Sequence, residues 1–162
     1  MRWNGLEGTR AASGVRYPVG VTEEMCATDA YVRSCEATVE QVTDGGVVLD
    51  RTVFYARSVG QPGDTGVLRW DGGETRVVDT VKEGGSPLHQ VDGVPLPLGA
   101  AVTADIDWGR RHRLMRTHTA LHALSAVVFR DYHAKVTGGN MEPGVARMDF
   151  ELETIDAEFG RE

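Results

Sequence analysis

The chain has little cysteine and no long apolar run. Its two cysteines, Cys26 and Cys35, are too few for a disulfide framework, and their spacing matches neither a zinc ribbon nor a redox pair. No stretch approaches the roughly 18 apolar residues that a membrane span requires. The first 20 residues also lack the apolar block of a signal peptide. We therefore expect reduced thiols and a cytoplasmic location.

Positive charge is also scarce, because the net charge of the 162 residues is −7. This value argues against a general nucleic-acid coat. Arginines nevertheless crowd the start of a predicted central helix, where the helix dipole disfavours cations. They are Arg110, Arg111, Arg113 and Arg116. Their anionic partners are either RNA phosphates or neighbouring Asp and Glu side chains, and carboxylates are the commoner case.

Short strands closed by glycine turns fill the first two thirds of the chain. Residues 35–41 alternate between apolar and polar, which predicts a half-buried strand, and residues 47–55 return as its hairpin partner after a glycine turn. The same pattern repeats through further predicted strands at 67–70, 75–82, 88–91 and 102–106. Strands at this spacing predict a small β-barrel or a strongly bent sheet.

The predicted central helix covers residues 113–132, which contain no proline or glycine and carry apolar residues on almost every face. We expect it to be buried, with Met115, Leu121 and Phe129 in the core, and Asp107 occupies the position of an N-cap. His118 and His122 lie one turn apart on one face, as a metal site on a helix requires. Taken alone, such a pair is more often two hydrogen-bonded core histidines.

The remaining polar and glycine residues have simple structural interpretations. Residues 135–144 are predicted as a turn-rich loop and residues 145–152 as a strand, after which Thr154 could cap a further helix. That unfinished helix suggests a truncated product or a shortened relative of a larger protein. Gly138 and Gly139 fit a plain turn better than a phosphate cradle. Asp64 and Asp79 fit acceptors for backbone amides better than a catalytic carboxylate pair.

The tryptophans of the sequence are Trp3, Trp70 and Trp108. They are too far apart in the chain to predict a stacking platform for bases. We expect them to fill the core or to cap it.

Several separate motifs together resemble one known family. In chain order they read GQPGDTG at 60–66, VVD at 77–79, DW at 107–108, RTHTALH at 116–122, AKVTGG at 134–139 and RMDF at 147–150. This order resembles the editing domain of alanyl-tRNA synthetase and its free-standing relatives, the AlaX-type trans-editing proteins, over residues 28–153. Agreement of several motifs in order and spacing is far more specific than the histidine pair alone.

The resemblance implies an α+β fold. A small N-terminal β-barrel carrying a glycine-rich loop would pack against an α/β half built on one long helix with the His-x-x-x-His pair. The first 20 residues are rich in Gly, Arg and Ser and lack periodicity, which predicts a flexible tail, placed over residues 1–27. The resemblance implies the barrel over 28–106 and a zinc-binding type of editing subdomain over 107–162, shortened relative to the family.

The resemblance also implies an activity, the zinc-dependent hydrolysis of Ser or Gly wrongly attached to the alanine tRNA. His118 and His122 would be two of four zinc ligands, and the family's later Cys-x-x-x-His segment does not occur in this sequence. Gln61 and Thr119 would be catalytic. Substrate and tRNA contacts would come from Gly60, Arg110, Arg113, Arg116 and Lys135.

One feature departs from the family in the loop that would approach the substrate. Where the family has Pro-Thr followed by glycines, this sequence has Ala56 and Arg57, so a long cation replaces the threonine associated with serine discrimination. An alternative function is therefore a catalytically degenerate module of the same fold, which would hold a tRNA acceptor end or an amino-acid-like ligand without hydrolysing it.

Overall fold

A computed structural model describes residues 21–58, 60–94 and 96–152. Within these ranges the chain forms a closed barrel, one long helix, α1 (Trp108–Tyr132), and a terminal hairpin. The strands are β1 (Glu23–Glu24), β2 (Ser34–Thr43), β3 (Gly46–Leu49), β4 (Arg51–Thr52), β5 (Gly66–Trp70), β6 (Gly73–Glu83), β7 (Ser86–Gly93), β8 (Ala101–Ile106), β9 (Lys135–Glu142) and β10 (Val145–Glu151). Barrel and helix together confirm the predicted α+β class.

The barrel closes through antiparallel neighbours in the order β2-β3-β7-β6-β5-β8, with β8 returning to β2. The alternation predicted for residues 35–41 is confirmed, since Ala37 and Val39 are buried while Glu36 and Thr38 are exposed. Other core side chains come from every side of the barrel, among them Leu49, Phe54, Leu68, Val77 and Val102. The glycine turns and strands of the sequence therefore produce the barrel that they predict.

The hairpin predicted for residues 47–55 is confirmed over β3, which pairs antiparallel with β2, but the predicted single strand breaks at Asp50. One carboxylate oxygen of Asp50 accepts from the backbone N–H of Thr38 at 2.7 Å and of Arg51 at 2.8 Å. A side chain that satisfies backbone donors in this way competes with the strand ladder. The following segment, β4, instead pairs in parallel with β1.

The segment before β2 packs on the outside of the barrel. Thr22 is buried and its hydroxyl donates to the carbonyl of Leu49 at 2.9 Å, and a 3-10 helix, Met25–Ala27, follows β1. The tail predicted for residues 1–27 overlaps this segment, and its first 20 residues lie outside those described. Thr154 and the helix it could cap also lie outside them.

Helix α1 begins five residues earlier than predicted, and its start rests on the barrel. The Asp107 carboxylate accepts from the backbone N–H of Arg110 at 2.9 Å, which confirms the predicted N-cap. Trp108 packs against the barrel core, with the His112 ring stacked at 5.4 Å and the Arg33 guanidinium 4.3 Å from its ring centroid. Trp108 thus has the capping role expected for it.

The prediction of a fully buried helix is wrong. The buried residues of α1 are Arg111, Leu114 and Val128, whereas Phe129 is 53% exposed. Met115 and Leu121 are half-buried. Beyond the barrel, the described elements that pack most on α1 are β9 and β10. Leu124, Val127 and Phe129 on the other faces remain exposed.

The loop predicted for residues 135–144 is also wrong, because most of it is β9, paired antiparallel with β10. Gly138 and Gly139 lie inside this strand and form no turn. A Cβ on Gly138 would stand 3.1 Å from Asp149 Oδ2, and one on Gly139 would stand 3.2 Å from the Arg147 carbonyl. Glycine is therefore needed here because the two strands approach each other closely.

No described helix is both long enough and apolar enough to cross a membrane.

Candidate functional site: a cleft between the helix and the terminal hairpin

An open cleft of about 460 Å³ lies between α1 and β9, beneath the glycine-rich loop of the barrel. The two helix histidines form one wall and the glycines of β9 form the opposite wall. The lining residues are Gly60, His118, Leu121, His122, Ser125, Val136, Thr137, Gly138, Gly139, Asn140, Met141 and Met148. The cleft thus gathers residues from three separate parts of the chain.

His118 and His122 lie in the wall of this cleft, which corrects the expectation that both are interior. His118 is half-buried and His122 is exposed. Their rings are nearly parallel, with an interplanar angle of 11° and centroids 4.9 Å apart. Two imidazoles on successive helical turns therefore face one accessible space, as a divalent ion requires.

The glycine-rich loop brings Gln61 to the first histidine. His118 Nδ1 lies 2.6 Å from the side-chain oxygen of Gln61, and Gln61 is only 8% exposed. The loop is narrow, because Ser58 and Gln61 exchange two backbone hydrogen bonds of 3.2 Å and Gly60 adopts a positive φ of 80°. At Gly63 an added Cβ would stand 2.1 Å from the Thr80 carbonyl, so this part of the loop lies against β6.

Two of the four clustered arginines anchor that loop to the helix. Arg111 Nε donates to both carboxylate oxygens of Asp64 at 2.9 and 2.8 Å, and both side chains are buried. Arg110 Nη1 donates to the Gly63 carbonyl at 2.7 Å. For Arg111, the predicted carboxylate partner is therefore confirmed.

The other two arginines, Arg113 and Arg116, are exposed. They line a second groove of about 450 Å³ between α1 and the turn of the terminal hairpin, together with Leu124 and Gly144. The Gly144 backbone N–H donates to the Thr117 hydroxyl at 3.0 Å and so fixes the turn to the helix. Neither guanidinium forms an ion pair with any described residue.

The two aspartates accept backbone hydrogen bonds as expected. Asp64 accepts from the Tyr55 N–H at 2.7 Å, and Asp79 accepts from the Thr80 N–H at 2.9 Å. Asp79 also pairs with Arg57. The long cation that replaces the family's threonine is thus bonded to the barrel.

The structure does not bring every predicted site residue to the cleft. Thr119 is exposed and its hydroxyl donates to the Met115 carbonyl at 3.0 Å, so it does not line the cleft. Lys135 is exposed at the start of β9. Gly60, Gln61, His118 and His122 do come together.

Sequence reasoning missed the β9 wall of the cleft. Thr137, Gly138, Gly139 and Asn140 line it, but their glycine content indicated a turn. The sequence did carry a signal for this strand. The residues before and after Gly138 and Gly139, 135–137 and 140–142, alternate between polar and apolar, and they lie between the predicted helix and the strand predicted at 145–152.

The donor set fits a metal in part. Two imidazoles supply two of the three or more protein ligands that a catalytic zinc takes. In residues 21–58, 60–94 and 96–152, no group of three or more His, Cys, Asp and Glu side chains is placed to hold a metal ion. Any further protein ligand would therefore come from outside the described residues.

The family model for tRNA synthetases class II (A) matches residues 19–110. The chain is 44% identical over 143 residues to the alanyl-tRNA editing protein AlaX-M of Methanosarcina barkeri, covering 84% of this chain and 59% of that protein. It is 39% identical over 139 residues to the AlaX-M protein of Saccharolobus solfataricus, with the same coverage of 84% and 59%.

The alanine–tRNA ligase of Pyrobaculum neutrophilum is 41% identical over 141 residues, which cover 86% of this chain and 15% of the enzyme. The chain thus spans 59% of the length of the AlaX-M relatives and a small part of the ligase. On these matches the chain belongs to the class II (A) tRNA synthetase family, in the group formed by the editing domain of alanyl-tRNA synthetase and the AlaX-type proteins.

Proposed function

We propose that this chain acts in alanyl-tRNA editing, by zinc-dependent hydrolysis of Ser or Gly esterified to the alanine tRNA. The observation that carries the proposal is the meeting of His118, His122 and the glycine-rich loop in one open cleft. Similarity to the AlaX-M proteins, which are named as alanyl-tRNA editing proteins, supports the same function.

His118 and His122 would hold the metal. When bound, zinc supplies a Lewis acid for the ester carbonyl and lowers the pKa of a bound water. The chain's own residues would receive the ester end between the helix and β9, where Gly138 and Gly139 place no side chains in the way. The proposal requires at least one further protein ligand from outside the described residues.

Arg113 and Arg116 would contact the tRNA backbone. They are exposed and form no ion pair with a described residue, and their groove adjoins the cleft because both are lined by Leu121. Guanidiniums that no described carboxylate neutralises, on a chain of net charge −7, suit a local phosphate contact that fixes orientation without reading bases. Arg110, in contrast, would act on the substrate only through the loop that it holds.

A second candidate function is a binding module that holds a tRNA acceptor end or an amino-acid-like ligand without hydrolysis. One observation favours it, namely that the described residues offer two imidazoles and no third ligand beside them. Arg57 in place of a threonine also changes the loop near the substrate end. Binding without turnover distinguishes this module from the enzyme.

The test is a deacylation assay with added zinc, in which the substrates are the alanine tRNA esterified with Ser and the same tRNA esterified with Gly. The wild-type chain should accelerate hydrolysis, and His118→Ala or His122→Ala should return the rate to the uncatalysed value. His112→Ala is the matched control, because His112 lies on the same helix but stacks on Trp108 outside the cleft. Hydrolysis that is equal with and without the wild-type chain would refute the enzyme. Retained tRNA binding in that case would support the module.

A further inference from the structure

We propose that Gln61 is a positioning residue that fixes the neutral imidazole of His118 with its proton on Nδ1, which leaves the Nε2 lone pair for a ligand in the cleft. The inference deepens the proposed function, because it concerns one of the two proposed zinc ligands. It rests on a contact between two side chains of the chain itself, so it can be tested without zinc and without tRNA.

The hydrogen bond itself carries the argument. His118 Nδ1 and Gln61 Oε1 are 2.6 Å apart. A carbonyl oxygen can only accept, so the ring nitrogen that faces it must carry the hydrogen. A neutral imidazole has one N–H, and the other nitrogen, Nε2, is then the lone-pair donor. The reverse orientation of the Gln61 amide would place the ring proton on Nε2, so the two orientations predict opposite tautomers.

The backbone of the loop that carries Gln61 is held from both sides, so the Gln61 side chain stays within reach of His118. On the barrel side, the paired backbone bonds to Ser58 close the loop. On the helix side, Arg110 binds the Gly63 carbonyl and Arg111 binds Asp64. Both arginines lie about two turns before His118 on the same helix, so one rigid element sets the positions of the loop and the ring.

Gln61 acts through His118 and does not face the substrate. It is 8% exposed and is not among the residues that line the cleft, whereas His118 is. This placement differs from the catalytic role that the family resemblance implies for Gln61. An outer hydrogen bond that orients a ligating histidine is the usual companion of a protein zinc site.

The experiment is long-range ¹H–¹⁵N correlation spectroscopy of the ¹⁵N-histidine-labelled, metal-free chain, at a pH where the imidazoles are neutral. His118 should show a protonated Nδ1 and an unprotonated Nε2. Gln61→Met, which has nearly the same length but no acceptor, should shift His118 toward the Nε2–H form that free imidazole side chains prefer. Gln61→Glu, which keeps an acceptor, should restore Nδ1–H.

The ring of His89 is the internal control, because its two nitrogens bond to Val47 and Thr52 inside the barrel and it should keep its tautomer in every variant. Amide spectra and thermal midpoints of the variants report whether the fold is retained. If Gln61→Met does not fold, the wild-type spectrum still decides, since an Nε2–H tautomer at His118 overturns the proposal. An unchanged His118 tautomer in folded Gln61→Met overturns it equally.

A second readout links the tautomer to the metal. Gln61→Met should weaken zinc binding by about 10- to 100-fold, as the loss of such outer partners does at other sites, and Gln61→Glu should recover most of the affinity. Equal zinc affinity in Gln61→Met and wild type would overturn the positioning role. If zinc does not bind the wild-type chain, the proposed function fails while the tautomer result stands by itself.

Discussion

Arg111 and Asp64 form a buried ion pair that joins the head of the long helix to the glycine-rich loop. Arg111 is 3% exposed and Asp64 is 1% exposed. The guanidinium also donates to the Val53 carbonyl at 2.9 Å, and the carboxylate also accepts from the Tyr55 N–H. Because each group has several partners, the pair fixes the barrel, the loop and the helix relative to one another.

Removing one member of this pair should destabilise the chain strongly. Arg111→Met leaves the Asp64 carboxylate buried without its charged partner. Asp64→Asn leaves the Arg111 guanidinium buried without its charged partner. Loss of one partner of a buried pair costs about 3–5 kcal/mol of unfolding free energy. Urea unfolding measures the loss, and Arg51→Met, which breaks an exposed pair with Glu23, is the matched control. Equal costs for the buried and the exposed pair would contradict the assigned role.

The buried histidine of the barrel should make stability depend on pH. His89 is fully buried, its Nδ1–H donates to the Val47 carbonyl at 3.1 Å, and its Nε2 accepts from the Thr52 hydroxyl at 2.7 Å. Burial lowers the pKa of His89 from 6.5 to about 4. The neutral ring is therefore the form that suits the folded state.

Because the folded pKa lies below the unfolded one, the unfolded chain takes up a proton first as the pH falls. The stabilising contribution is complete above pH 6.5 and is lost as the pH falls toward 4. Between pH 7 and pH 5 the loss should be about 2 kcal/mol. Urea unfolding across this range measures it, and His89→Gln should flatten the slope. Equal slopes in the two proteins would show that His89 does not titrate as described.

Gly63 should tolerate no side chain. Its Cβ would meet the Thr80 carbonyl at 2.1 Å and Asp79 Oδ1 at 2.4 Å. Gly63→Ala should therefore displace the loop and cost about 1–3 kcal/mol. Gly45→Ala is the control, because its nearest neighbour, a Leu88 methyl, stands at 3.5 Å. The two thermal midpoints should differ by several degrees, and coincident midpoints would mean that the loop is not constrained at Gly63.

The exposed arginines should set the salt dependence of tRNA binding. If Arg113 and Arg116 each contact a phosphate, each change to Ala should weaken tRNA binding and lower the slope of log K against log salt by about 1. Arg130→Ala is the control on the same helix, because Arg130 pairs with its neighbour Asp131. Filter binding at several salt concentrations measures the slopes. Slopes equal to wild type in both variants would exclude the groove as the phosphate contact.

Local patterns predicted most of the barrel. Alternating residues and glycine turns located the strands at 67–70, 75–82, 88–91 and 102–106, because a closed barrel has one face inside and one outside. The helix start was also readable from Asp107. The exposure of Phe129 could not be predicted from the sequence. An apolar side chain is buried only where another element packs against it, and the sequence of the helix does not show where that happens.

The site was predictable only where its residues are close in sequence. His118 and His122 form a pair one helical turn apart, so their common face follows from helix geometry. Arg111 and Asp64, which bond to each other, are separated by 47 positions in the sequence. His118 and Gln61 are separated by 57 positions. No local pattern encodes such contacts, because they depend on how the helix docks against the closed barrel.

The claim that His118 and His122 bind zinc in the cleft is tested most directly by a zinc titration of the purified chain against a chromophoric competitor. The wild type should bind one zinc per chain. His118→Ala and His122→Ala should each abolish binding at zinc concentrations that saturate the wild type, and His112→Ala should leave it unchanged. Zinc binding that is equal in the wild type and both cleft variants would contradict the account.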